Sequence, residues 1–118
     1  MRVFRLETDI GTGVFECGAA NHYNNLDLEH SPFDHPSPTD EGLRLSRIWY
    51  CGFVDENQMQ TWFPKIDELH HVFDSAGVKW AIYEVDVNLV SVGKHQVTFL
   101  RNTPPIIRVP VRERHNAA

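Results

Sequence analysis

The hydrophobic and polar positions change period several times along this chain, and each change marks an element. Arg2-Val-Phe-Arg-Leu-Glu7 alternates, with Val3 and Arg5 on one face and Phe4 and Leu6 on the other, which predicts a first strand. The glycines of Asp9-Ile-Gly-Thr-Gly13 signal a turn, and Val14-Phe-Glu-Cys17 is expected to return as the second strand of a hairpin. Gly11-x-Gly13 is too short for a phosphate-binding loop and reads as turn glycine. From residue 18 to 46 no period is sustained. A short helix is expected over Ala19 to Leu28, weakened by Asn21, Asn24 and Asn25. Ser31-Pro-Phe-Asp-His-Pro-Ser-Pro38 packs three prolines into seven residues, which excludes regular helix and requires an ordered loop or a lid. Long loops in small domains frequently carry function, so ligand or partner contacts are expected between Asn21 and Asp40.

Periodicity is strongest after residue 46. Arg47-Ile-Trp-Tyr-Cys-Gly-Phe53 reads as an aromatic strand, and Asp55 as the N-cap of a helix that buries Met59, Trp62 and Phe63. Pro64 is expected to open a second helix, its stripe continuing through Ile66, Leu69, His70 and Phe73 to Gly77. Val78 to Val87 carries apolar residues on both faces and should be a central strand. Leu89 to Val92 and His95 to Leu100, joined at Gly93-Lys94, form a closing hairpin. The fold class is α+β, a compact mixed or antiparallel sheet packed by one or two helices. Residues 1–102 make a single domain and 103–118 an extended basic C-terminal arm, an edge strand or polyproline segment frayed from Arg112 onward.

Composition narrows the function classes. At 118 residues with 42% apolar and 23% charged residues, the chain is one ordinary globular domain with no run long enough to cross a membrane. Charges in Met1-Arg-Val-Phe-Arg-Leu-Glu7 argue against a signal peptide, so a cytoplasmic location is expected. Cys17 and Cys51 are expected as free thiols. The net charge of −5 is uneven: residues 1–86 carry 6 Lys/Arg against 15 Asp/Glu, and residues 87–118 carry 5 against 1. An acidic body argues against broad adhesion to phosphate backbones. A nucleic-acid module, using the arginine-rich tail with exposed Trp49 or Tyr50 as stacking surfaces, therefore ranks last. The tail itself is expected in solvent or against the acidic body.

Seven histidines raise the question of a metal, but neither C-x-x-C nor H-x-x-x-H spacing occurs, and no metal ligand is assigned. His70 reads as a core-edge residue and His95 as half-exposed after a turn. None of the serines has the context of a catalytic nucleophile. Glu84 and Asp86, at i and i+2 on one face of the central strand, would make an acid/base site if buried; the alternative is an exposed sheet end, or pairing with Arg5 or Arg101.

Taken in order, Arg2-Val-Phe-Arg-Leu-Glu7, His35-Pro-Ser-Pro38, Tyr50-Cys-Gly-Phe53 with Gln58-x-x-x-Trp-Phe63, and Tyr83-Glu-Val85 with Val92-Gly-x-His-Gln-Val97 resemble a group of small phage-encoded accessory proteins. With no complete catalytic signature in the chain, the leading reading is an accessory protein of this kind that binds a host component for takeover or anti-defence, using the long loop, the aromatic strand ends and the tail, without catalysis and without a cofactor. Its surface would include His30, Phe33, His35 and Trp49, its partner would be a host protein, and a homodimer is compatible with it. The same order also resembles the ADP-ribosyltransferase-like fold, in which NAD lies between two small sheets, gripped by a first-strand Arg or His and by aromatics. That resemblance implies cofactor contacts at Arg5, Tyr50, Phe53 and Gln96. Gln96 stands where the family's catalytic Glu is expected, and a neutral amide cannot stabilise an oxocarbenium-like transition state in the same way. Glu84 would be the substitute carboxylate.

Overall fold

The computed structural model describes residues 1–46 and 48–116. The strands are β1 (Arg2–Glu7), β2 (Trp49–Gly52), β3 (Lys79–Glu84), β4 (Val90–Val92), β5 (Val97–Leu100) and β6 (Ile107–Pro110); the helices are α1 (Ala19–Leu26), α2 (Glu56–Trp62) and α3 (His70–Ser75). They build an α+β domain with two three-stranded antiparallel sheets, ordered β1-β3-β6 and β2-β5-β4. The sheets meet where Phe4 and Phe53 exchange backbone hydrogen bonds of 2.8 and 2.7 Å.

The two-faced pattern of β3 is explained by its central place. Trp80 and Ile82, with Phe4 and Leu6 of β1, pack on Met59, Phe63 and Phe73 from the helical layer. Ala81 and Tyr83, with Val3, pack on Val97 and Phe99 of the second sheet. The sheets can approach at their junction because position 52 is glycine. A Cβ there would sit 2.7 Å from the Phe4 carbonyl oxygen and 2.8 Å from Val3 Cγ1, closer than non-bonded atoms tolerate.

Asp55 caps α2 as its sequence predicts, its side chain accepting from the Gln58 N–H at 2.8 Å. Other expectations change. Residues 14–17 form no strand: the Glu16 and Cys17 N–H groups both bond the Gly13 carbonyl, turning the chain into α1, and only a Glu7–Gly13 bridge survives of the hairpin. The aromatic strand begins at Trp49, and Arg47 lies outside the described residues. Residues 64–69 are turns, and α3 starts at His70, although Ile66 and Phe73 keep their buried stripe. Asp86 does not extend β3; it caps the 3₁₀ turn Val87–Leu89 by accepting from Asn88 N–H at 2.9 Å.

The arm is not frayed after Arg112. β6 is the edge strand next to β3, and the 3₁₀ turn Val111–Asn116 docks on the helical layer. Arg114, only 2% exposed, lies 2.7 Å from both Glu56 and Asp67, while Arg112 reaches Asp74. Basic tail and acidic body therefore neutralise each other within one chain. Among the described residues no helix is long and apolar enough to cross a membrane.

Candidate functional site

The junction of the sheets opens into a cavity of about 340 Å³, within the range of small-molecule sites. Arg5 of β1, Cys51 and Gly52 of β2, and Phe53 form one side; Gln96, just before β5, closes another. The proline loop supplies a third wall through Pro32, His35 and Pro36, and Phe15 and Trp62 complete an aromatic lining. Sequence makes this enclosure local. Trp62 is on the buried face of α2, and its indole N–H donates to the His95 carbonyl at 2.8 Å. One turn earlier Gln58 Nε2 donates to the Gly93 and Lys94 carbonyls, so α2 is fixed to the β4–β5 hairpin at two levels.

The loop wall is held by a polar cluster. Gln96 Nε2 donates to the Pro36 carbonyl at 2.9 Å and to Glu41 Oε2 at 3.1 Å. Glu41 Oε1 accepts from the His95 backbone N–H at 2.9 Å and faces His95 Nδ1 at 3.1 Å. Burial opposes ionisation of Glu41, but the hydrogen bonds from His95 and Gln96 outweigh it and hold the carboxyl below its ordinary range. His35 packs on Trp62, with ring centroids 4.9 Å apart, and stands 6.2 Å from the His95 ring.

Behind the cavity lies a second network around Glu7, which is fully buried. Its carboxylate accepts from the Tyr83 hydroxyl at 2.8 Å and from Arg108 Nε at 2.7 Å, with Arg108 Nη2 also at 2.7 Å. Arg5 Nε lies 3.0 Å and Arg101 Nη1 3.5 Å from it. Arg5 Nη1 donates to the Cys51 carbonyl at 2.7 Å, tying β1 to β2. One carboxylate thus faces three guanidinium groups. The Tyr50 ring lies 3.7 Å from the Arg101 guanidinium carbon and 5.3 Å from that of Arg5, a cation–π arrangement. Gly13 leaves room for Arg5, since a Cβ there would lie 2.9 Å from Nη2. Burial pushes the Cys51 thiol up, with Arg5 offsetting part of the shift.

A family model described as the bacteriophage T4 Y00F protein matches residues 1–109. The chain belongs to that family. No curated protein and no solved structure matches it. Membership in the Y00F family makes this a phage protein, which agrees with the resemblance to small phage-encoded proteins and leaves its ligand and partner to the site itself.

In this Y00F family member, Arg5, Phe53, Gln96 and His35 converge on one cavity although they are far apart in sequence. Tyr50 instead packs in the inter-sheet core beside the arginines. Trp49 is 8% exposed, with the Arg44 guanidinium carbon 4.9 Å from its ring centroid, so it presents no free stacking or docking face. His30 is exposed and binds Asp27 through Nδ1 at 3.2 Å. Phe33 is 49% exposed and meets Phe15 edge-on at 5.3 Å. Glu84 is an exposed sheet end, bound to the Met1 amine at 3.0 Å. Its register partner is Arg2, three residues from Arg5 along β1, which sets it roughly 10 Å away along the strand. A buried carboxylate pair with Asp86 does not form. Among the described residues no three His, Cys, Asp or Glu side chains converge as metal ligands.

Glu7, Glu41 and Arg108 are site residues that sequence reasoning missed. Nothing in the local pattern singles them out, because the Glu7–Arg108 and Glu41–His95 contacts join residues more than 50 positions apart. Trp62 had a signal: Gln58-x-x-x-Trp62 aligns both polar groups on one helix face, toward whatever lies beside α2.

Proposed function

We propose that this phage protein binds a nucleotide of the NAD kind in the inter-sheet cleft, in the manner of an ADP-ribosyltransferase-like fold, and acts by binding rather than group transfer. The observation that carries the reading is the convergence of Arg5, Phe53 and Gln96 on one aromatic-lined cavity between two small sheets. Phe15, Phe53 and Trp62 suit a planar heteroaromatic ring. Binding without transfer is the reading taken because neither expected catalytic position supplies a carboxylate to the cavity: Gln96 is neutral and Glu84 is exposed elsewhere. Glu16, the carboxylate that does line the cavity, is exposed to solvent, where it stabilises an oxocarbenium ion poorly. Acting in the host cytoplasm, such a protein would sequester or sense a nucleotide.

Calorimetry and thermal melting with NAD test this directly. At ligand 100-fold above Kd, folding should gain about 2.7 kcal/mol, with a change in Trp62 fluorescence. Absence of both heat and melting shift at millimolar NAD would remove the reading.

A second reading, docking of a host protein, is favoured by the exposed Phe15–Phe33 pair at the cavity lip. Under it, wild-type protein recovers a stoichiometric host protein and Phe33→Ser does not. Equal recovery by both would discard it.

A further inference from the structure

We infer that Gln96 selects the ligand of the cleft, presenting its side-chain oxygen to an N–H donor on a planar ring. The inference rests on the cleft being a nucleotide site, as proposed above. The orientation of the amide is dictated by its neighbours. The Pro36 carbonyl and the Glu41 carboxylate lie 2.9 and 3.1 Å from Nε2. A carbonyl and an ionised carboxylate only accept hydrogen bonds, so both hydrogens of the amide nitrogen are engaged, and a flipped amide would set oxygen against two acceptors. Oε1 is left over. It receives no hydrogen bond among the described residues, although Gln96 is 3% exposed and lines the cavity. A carbonyl oxygen on a cavity wall gains when a ligand supplies a donor and loses when a ligand brings a second acceptor.

Glu41 is the positioning residue. The His95 backbone N–H and imidazole engage Oε1 of Glu41, which reserves Oε2 for Gln96. The cluster therefore converts an adaptable side chain, able to donate or accept, into a fixed acceptor. The ligand class that fits is a heteroaromatic ring bearing a neutral carboxamide or exocyclic amine, stacked among Phe53 and Trp62. A carboxylate or ring carbonyl at the same place meets oxygen with oxygen. NAD carries the required donor at both ends, as the nicotinamide carboxamide and the adenine amine.

Calorimetry on the full chain with NAD, nicotinic acid adenine dinucleotide and nicotinamide hypoxanthine dinucleotide reads the selection. One of the two replacements should weaken binding by about 10-fold or more, and which one identifies the ring in the cavity. Glu41→Gln frees the Gln96 amide to turn, so the preference should fall below about 3-fold while circular dichroism stays native; Gln96→Leu should abolish it as an independent check. Wild-type binding of all three ligands within about 2-fold overturns the role of Gln96 and leaves the cleft reading intact. Preference retained in both variants overturns it too, and binding of none of the three removes both.

Discussion

Glu7→Gln isolates the inter-sheet network with the smallest change of shape. The carboxylate is fully buried and faces Arg5, Arg101 and Arg108, with the Tyr83 hydroxyl on its oxygens. Neutralising it leaves three guanidinium groups without their counter-charge and turns an amide NH₂ toward at least one of them. Each charge-assisted bond contributes about 1.5–3 kcal/mol, and Arg108 alone makes two contacts of 2.7 Å. Breaking one partner of a buried pair typically costs about 3–5 kcal/mol. For a domain of this length total stability is roughly 6–18 kcal/mol, so the loss is a large share of it. In urea, with a slope of about 2 kcal/mol/M, the midpoint should fall by about 2 M at unchanged slope. Adding Arg108→Met in the Glu7→Gln background should cost at least about 1 kcal/mol less than Arg108→Met alone. A midpoint shift under about 0.5 M, or strict additivity, would refute a tightly coupled buried cluster.

Gly52→Ala should cost about 1–3 kcal/mol, because the new methyl meets the Phe4 carbonyl and Val3 at the sheet junction, and it should weaken nucleotide binding alongside stability in the same melting assay. Acidification supplies another check. Asp27 and Glu41 both lie below their ordinary values: burial opposes the shift in each, but hydrogen bonds from Tyr23 and His30, and from His95 and Gln96, outweigh it. Their contribution is complete above the unfolded values of 3.8 and 4.5 and is lost as pH falls through the lower folded values. The urea midpoint should decline below about pH 4.5, and Asp27→Asn should start lower and decline less steeply; an unchanged decline in that variant would contradict the assignment.

Much of the framework was legible because it rests on local signals. Two-faced hydrophobicity marks β3 as central, Asp55 announces α2, and the Gly93-Lys94 turn defines the β4–β5 hairpin. The expected strand at Val14 fails because Gly13 accepts two successive N–H groups, a choice that tertiary packing against α1 makes and alternation cannot reveal. Division into two sheets was equally hidden, since it depends on Gly52 admitting Phe4 and Val3. At the cavity, Arg5, Phe53 and Gln96 are all singled out only through resemblance, the strand pattern placing Arg5 and Phe53 on strands without marking them as a site. Glu41 belongs to a segment without periodicity, and its role comes from contact with His95 across 54 residues.

The separation of Glu7 and Arg108 by 101 positions has a consequence for biogenesis. At translation speeds of about 5–20 residues per second, the first strand emerges roughly 5–20 s before its main cationic partner. Throughout that interval the nascent chain carries an acidic side chain destined for the interior with its strongest counter-ion still unmade. Completion of the domain is thus a late event, timed by the ribosome.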